Sequence, residues 1–258
     1  MAKKERIDLL LTERGLTTSR SIAQRLVMAG EVRVNGELII KPSRTVERDA
    51  SIEVISRPKF VSRGGDKLAA ALDAFNLQMH SRVCADVGAS TGGFTDCLLQ
   101  AGAEKVYAID VGHGILHWKL RNDSRVVVME RTNARLLETL PEQVQIVTVD
   151  ASFISLRLLL PVLRGWMTAD GNLVALIKPQ FEAGRERVGH GGVVRDTAVH
   201  RDVLLEISQA AEANSLTPRG LIRSPLKGPK GNVEFLMWCD VSGADYDSDA
   251  LISPLFTG

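Results

Sequence analysis

Cysteine is scarce. Cys84, Cys97 and Cys239 are the only three in 258 residues, and none stands in a Cys-x-x-Cys pair. That excludes a disulfide scaffold and a thiolate zinc module; it fits buried thiols in a reducing cytosol, so a cytoplasmic protein is expected. Long apolar runs are also missing, none approaching the roughly 18–20 residues that cross a bilayer. The opening Met1-Ala2-Lys3-Lys4-Glu5-Arg6 leads into an acidic, leucine-rich stretch without a small-residue cleavage site. Neither export nor a membrane partner is expected. Net charge is nearly absent, at +1, and aromatics make up only 5%. What is present is 45% hydrophobic residues. That is enough for a core, on a length that holds one α/β domain and a small appendage.

The small net charge conceals an asymmetry. Residues 1–65 carry 13 Lys and Arg against 8 Asp and Glu, a balance of +5, and the remaining residues carry 19 against 23, a balance of −4. A basic appendage on a near-neutral domain points to a polyanionic partner. Within it, Ile7, Leu10 and Leu11 share one face of a helix over 6–14 that ends at Gly15. Thr18 can cap a second helix over 19–29, whose apolar face is Ile22, Ala23, Leu26 and Val27. Val32-Arg33-Val34, then Asn35-Gly36, then Glu37 to Ile40 predicts a β-hairpin.

Ser19-Arg20 and the run Gly30-x-Val32-x-Val34-Asn35-Gly36 resemble the αL-type RNA-binding domain shared by a small-subunit ribosomal protein and many pseudouridine synthases. The resemblance implies RNA contacts from Arg6, Ser19, Arg20, Arg25, Arg33, Lys41 and Arg63. Guanidinium groups so placed engage phosphates bidentately. With few aromatics, base stacking is not expected to be its main mode. A basic connector follows, Arg57-Pro58-Lys59-Phe60-Val61-Ser62-Arg63-Gly64-Gly65, punctuated by proline and the glycine pair.

The rest of the chain is organised around Ala85-Asp86-Val87-Gly88-Ala89-Ser90-Thr91-Gly92-Gly93-Phe94-Thr95. Upstream lies a buried-strand pattern over 82–87; downstream Phe94, Cys97, Leu98 and Ala101 recur at helical spacing. Neither Gly-x-Gly-x-x-Gly nor Gly-Lys-Ser/Thr is present, so a dinucleotide site and a P-loop are both excluded. Asp86, Gly88 and Gly92 form Asp-x-Gly-x-x-x-Gly, which resembles class I S-adenosylmethionine methyltransferases. That resemblance implies cofactor contacts from Asp86, Gly88, Ala89, Ser90, Gly92 and Gly93, with the Asp86 carboxylate facing the amino-acid end of the cofactor.

A second strand over 105–110 ends in Asp110, about 20–25 positions after the glycine turn, where an acid can accept hydrogen bonds from both hydroxyls of a ribose. Asn133 lies just past a third strand (126–130), placed for an adenine edge. A fourth (144–150) ends in Asp150, a further cofactor and catalytic candidate. Leu156 to Trp166 reads as a helix, and a fifth strand (171–177) leads into Lys178. A helix over 196–214 and strands near 220–224 and 233–239 complete the alternation. The expected fold is α/β, a Rossmann-like, mostly parallel seven-stranded sheet with helices on both faces, beside a small α+β N-terminal domain. His113 and His117 are four apart without a second pair and read as surface or capping residues, so no metal is expected. Trp118 and Trp166 read as packing residues.

Lys67, Asp150, Lys178 and Glu234 look like the Lys-Asp-Lys-Glu tetrad of FtsJ-like RNA ribose methyltransferases. With Val61-Ser62-Arg63-Gly64-Gly65-Asp66-Lys67-Leu68, Trp118-Lys119-Leu120-Arg121 and Lys178-Pro179-Gln180-Phe181-Glu182, the chain resembles the TlyA, or hemolysin A, family nearly end to end. The resemblance implies methyl transfer from S-adenosylmethionine to a ribose 2′-hydroxyl, on a cytidine of small- or large-subunit ribosomal RNA. Lys178 would contact the attacking oxygen as base or as stabiliser of the alkoxide, with Lys67 assisting and the two carboxylates orienting the amines. A lysine near its reference value of about 10.4 is a poor base at neutral pH, and burial or a neighbouring cation lowers it. The expected organisation is an RNA-binding domain over 1–60, a connector over 61–65, a methyltransferase domain over 66–245 and a C-terminal tail over 246–258. A monomer acting on ribosomal RNA or ribosomal subunits suffices. The competing functions are a membrane-active hemolysin and an RNA-binding module with a silent methyltransferase domain.

Overall fold

The computed structural model describes residues 4–55, 59–228 and 230–257. The chain divides into two compact units, Met1–Pro58 and Lys59–Gly258. Arg57 and Pro58, which open the expected connector, lie outside the described residues.

The N-terminal unit runs β1 (Lys4–Arg6), α1 (Ile7–Glu13), α2 (Arg20–Met28), β2 (Val32–Val34), β3 (Glu37–Ile39), β4 (Thr45–Glu47) and β5 (Ile52–Val54). Ile7, Leu10 and Leu11 of α1 share a core with Ala23 and Val27 of α2 and with Val32, Val34 and Ile39. The helical spacing of the first five and the alternation of the strands thus put one apolar face of each element inward. Strand β2 is central, antiparallel to β3 and β5. Asn35 and Gly36 both have positive φ (49° and 84°), as a two-residue type I′ hairpin turn requires. The cap of α2 is Ser19 and not Thr18: its hydroxyl accepts the Ile22 N–H at 3.3 Å.

The second unit runs α3 (Gly64–Ala74), β6 (Val83–Val87), α4 (Gly93–Gln100), β7 (Lys105–Ile109), α5 (Trp118–Arg121), β8 (Val126–Met129), β9 (Val144–Val149), α6 (Leu160–Trp166), β10 (Met167–Ile177), α7 (Pro179–Glu182), α8 (Thr197–Ala213), β11 (Thr217–Arg223), β12 (Phe235–Asp240) and α9 (Ser248–Ile252). Seven strands form one sheet in the order β11-β12-β10-β9-β6-β7-β8. Strand β12 alone runs opposite to the other six. Alternate residues of the central strands face opposite cores. Ala85, Val147, Leu173 and Ala175 pack with α6 and α8, whereas Cys84, Ile146, Val174 and Leu176 pack with α3 and α4. The fold is the expected mostly parallel seven-stranded sheet covered on both faces.

Several boundaries differ from the sequence expectation, each for a packing reason. Gly64 and Gly65, read as connector, form the first turn of α3. A Cβ on Gly65 would fall 2.2 Å from Phe60 Cγ, so this glycine permits close packing and not chain flexibility. Leu156 to Trp166 begins as a 3₁₀ turn, with Pro161 in the first turn of α6. Strand β10 starts at Met167, four residues early, across an irregularity between Met167 and Asn172. The stretch read as a tail contains α9, whose Ile252 is buried in the main core.

Candidate active site

Strand order reverses at β6: the chain proceeds outward through β7 and β8, then crosses back to β9 on the other side. Beyond the carboxyl ends of β6 and β9 the sheet therefore opens a crevice, the usual ligand position in such folds. The Asp150 N–H donates to Val87 O at 2.9 Å, and Gly88 N–H to Ile109 O at 2.9 Å, tying three strand ends together. Gly88 has φ 81°, and a Cβ there would fall 2.7 Å from the Asp150 carbonyl oxygen. Only glycine fits.

Two cavities of about 360 and 370 Å³ meet there and share Gly88, Ser90, Asp150 and Ser152. The first brings together Lys67, Asp150, Lys178 and Glu234, from four separated stretches of chain. Lys178 Nζ, buried, lies 2.6 Å from Asp150 Oδ1 and donates to Ser152 Oγ at 2.8 Å. Lys67 Nζ lies 2.5 Å from Glu234 Oε2, and Glu234 is buried immediately before β12. Each amine has its own carboxylate. The turn residues Ala89, Ser90 and Gly93 line the same cavity.

The second cavity contains Asp110, Asn133 and Thr132 with Val87 and Ile109. Asp110 accepts the Ser90 N–H on Oδ2 (2.8 Å) and the Gly112 N–H on Oδ1 (2.7 Å), leaving a further lone pair on each oxygen for a diol. Asn133 uses Oδ1 to accept the Arg135 N–H at 3.1 Å.

Four sequence expectations need correction. Asp86 does not line either cavity. It is wholly buried beneath the turn, its oxygens accepting from Thr95 Oγ1 (2.6 Å) and Thr148 Oγ1 (3.1 Å), and burial pushes its carboxyl up to about 7. It braces the turn against α4 and β9. Gly92 is likewise outside the cavity linings; at φ 97° it makes room for Leu120, whose Cδ1 would lie 2.1 Å from a Cβ. Trp118 is 71% exposed and so is not a packing residue, whereas Trp166 is buried and donates Nε1–H to Leu137 O. Ser19 caps α2 with its hydroxyl, as noted above. Among the described residues no group of His, Cys, Asp and Glu is placed to hold a metal, and His117 caps α5 through the Lys119 N–H.

Sequence reasoning also missed residues that shape the site. Phe153, 90% exposed at φ 63°, stands at the rim of the second cavity with its ring 5.0 Å from that of Phe181. A bulky residue held at positive φ is a strained feature of the kind that clusters at ligand sites. Glu182, buried, accepts from Ser155 Oγ (2.6 Å) and the Leu156 N–H (2.8 Å), joining the segment after β9 to the one after β10. Burial raises its carboxyl above the usual range. Glu130 accepts the Gly114 N–H (2.9 Å) and an Arg121 N–H, with His113 Nδ1 2.9 Å from its other oxygen. Arg121 and Gly114 hold its carboxyl down at about 2. Lys227 lines the first cavity. Glu182 stood in the run Lys178-Pro179-Gln180-Phe181-Glu182 without a role of its own, and Phe153, Glu130 and Lys227 carry no periodic signal that would have singled them out.

Residues 60–240 match the family described as FtsJ-like methyltransferase, and residues 5–52 match the S4 domain. The chain belongs to the FtsJ-like methyltransferase family. A Mycobacterium tuberculosis relative, named 16S/23S rRNA (cytidine-2′-O)-methyltransferase TlyA, is 46% identical over 242 residues, 92% of this chain and 90% of the relative. Hemolysin A of Brachyspira hyodysenteriae is 43% identical over 90% of this chain and 98% of its own. A solved Streptococcus thermophilus structure, described as a candidate hemolysin, superposes with a TM-score of 0.74 at 40% identity, covering 99% and 96% of the two chains. Among the described residues, no helix of this methyltransferase is long and apolar enough to cross a membrane.

In the S4 domain the predicted arginines do not all stand free. Arg6 grips the buried Asp8 through Nε (3.0 Å) and Nη2 (2.9 Å), Arg20 Nε adds a bond at 3.0 Å, and Gln24 Nε2 another at 2.9 Å. The Arg6 guanidinium above all holds the Asp8 carboxyl far below its ordinary range. Both arginines keep part of their surface exposed. Arg33 donates to Gly36 O at 3.1 Å, while Arg25 and Lys41 are exposed. Arg63 belongs to the other unit, where it lines the first cavity.

Proposed function

We propose that this methyltransferase transfers the methyl group of S-adenosylmethionine to a ribose 2′-hydroxyl of ribosomal RNA, the substrate being a cytidine as in the TlyA relative. One observation carries the reading: two lysine–carboxylate pairs, Lys178–Asp150 and Lys67–Glu234, share a cavity that adjoins a second one lined by Asp110 and Asn133. The residues present fit the cofactor. The side-chain-free surface at Gly88 lets a ligand approach the backbone, Asp110 accepts the ribose hydroxyls, and the Asn133 amide donates to an adenine edge. When bound, S-adenosylmethionine supplies an activated methyl on a sulfonium.

The protein's own part is positioning and proton management. Lys178 meets the 2′-oxygen, held on station by Asp150 and Ser152, and either accepts its proton or stabilises the alkoxide. Lys67, fixed by Glu234, adds positive charge beside it. In this reading residues 1–60 grip RNA, 61–65 connect, 66–245 perform the chemistry and 246–258 complete the fold, with a cytoplasmic monomer sufficient.

The test is tritiated methyl transfer to undermethylated 30S and 50S subunits. Wild type is expected to leave label in an alkali-resistant dinucleotide. Lys178→Met, with cofactor binding retained, is expected to lose activity by on the order of 10²–10⁴-fold. Absence of label on either particle with cofactor bound would overturn the reading in favour of a silent RNA-binding module. Leakage of liposome contents would favour a hemolysin.

A further inference from the structure

The charges of the first cavity divide by depth. At its base Lys67 is matched by Glu234 and Lys178 by Asp150, so the four groups sum to zero. Two further cations line the same cavity, Arg63 at the N-terminal end of α3 and Lys227 in the loop between β11 and β12. Both are exposed, and neither has a carboxylate partner among the described residues. The mouth therefore carries an uncompensated charge of two above a neutral floor.

The segment bearing Lys227 is a fixed wall. Ser224 N–H donates to Glu234 O at 2.8 Å, and Gly228 N–H to Asn232 O at 2.9 Å. Asn232, buried, accepts the Val194 N–H (3.0 Å) and donates to Gly192 O (2.9 Å). A Cβ on Gly228 would fall 2.5 Å from Glu234 Oε1, so the residue next to Lys227 lies directly against the carboxylate that holds Lys67. A ligand suited to this arrangement brings a neutral reacting group inward and a fixed anion at the rim. A nucleotide within an RNA strand has that form: its 2′-hydroxyl is uncharged, and a phosphodiester lies a few bonds away. A free nucleoside does not.

We infer that Lys227, with Arg63, grips a phosphodiester flanking the target ribose and so presents the 2′-oxygen to Lys178. The inference rests on the RNA-methylating reading above and adds a positioning residue to it. The rival anion for the same cations is the carboxylate of the cofactor.

The test compares wild type, Lys227→Ala and Lys227→Arg, measuring equilibrium binding to undermethylated 30S and 50S subunits from low to high monovalent salt. S-adenosylmethionine affinity is measured in parallel. Lys227→Ala is expected to bind the accepting particle about 5–10-fold more weakly at low salt. Its log–log salt slope should be shallower by roughly 0.7–0.9, the loss of one phosphate contact. Cofactor affinity stays unchanged, and Lys227→Arg restores the slope. An unchanged slope would overturn the inference whatever the affinity, because a merely structural role does not alter counterion release. Weakened cofactor binding with an intact RNA slope would assign the cation to the cofactor carboxylate instead. Wild type binding but failing to methylate would sink the parent reading and leave the slope comparison still decisive for the phosphate contact.

Discussion

Asp8 in the S4 domain and Asp86 in the methyltransferase unit are both wholly buried, yet they are held by opposite chemistry. Asp8 is met by two guanidiniums and an amide, which favour its charged form; Asp86 is met by two hydroxyls inside a sheet, where burial favours its neutral form. The S4 domain is small, and its interior acid is a hub that orders the arginines on its surface. The methyltransferase unit has two large apolar cores, and its interior acid ties a glycine turn to a neighbouring helix and strand. A buried carboxylate is thus a charge organiser in one unit and a neutral clasp in the other.

The sharpest way to break this comparison is to remove the charge organiser. Asp8→Ala leaves the part-exposed Arg6 and Arg20 with no anion between them, and losing these charge-assisted hydrogen bonds costs about 1.5–3 kcal/mol. A unit of this size has little stability to spare. Hydrogen exchange is expected to show loss of protection across residues 4–55, with β6, β9 and β10 still protected. Equal loss in both units would show that Asp8 is not a local hub.

Next in size is the response to pH, which should have opposite sign in the two units. Asp86 has a folded value of about 7 against an ordinary 3.8, so the folded state holds its proton longer than the unfolded chain. Its contribution makes stability fall as pH rises from about 4 to about 7, by on the order of a few kcal/mol. Asp8 is shifted the other way: its stabilisation is complete above the unfolded value and is lost as pH falls below about 4 towards the folded one. Urea midpoints of Asp86→Asn at pH 5 and pH 8 should lie closer together than those of wild type. An unaltered pH dependence would remove the neutral clasp from the argument.

The contrast also marks what could be read from the chain alone. Asp110, Asp150 and Lys178 were legible because each follows a buried parallel strand, and strand ends of such sheets converge on one crevice. Partnership was not legible in the same way: Lys67 and Glu234 are 167 positions apart, and only the sheet order brings them together. Asp86 stood out by its spacing from Gly88, but spacing cannot say whether a carboxylate faces a cavity or two threonines. Thr148, which decides the matter, lies on another strand. Asp8 was invisible for a related reason. It occupies a helix position next to apolar neighbours, and its burial becomes intelligible only once Arg20 and Gln24 arrive from α2. The hairpin at Asn35-Gly36 was legible to the residue because local backbone demand alone determines it.

The smallest effect expected tests whether a largely covered acid outside both cavities can organise a ligand site without contributing much to the fold. Glu130 collects the Gly114 N–H, Arg121 and His113, and so ties down the segment that follows Asp110, the acid lining the cavity proposed for the nucleoside part of the cofactor. Glu130→Gln keeps one acceptor oxygen and loses the charge that Arg121 and His113 share. The expected result is a KM for S-adenosylmethionine about 3–10-fold higher, with kcat and thermal midpoint nearly unchanged. Losing two charge-assisted hydrogen bonds behind the cavity loosens positioning without opening a core. A fall in kcat at saturating cofactor would mean that this segment reaches the reacting atoms. A large drop in thermal midpoint would instead place Glu130 beside Asp8, as a second charge organiser on which the fold depends.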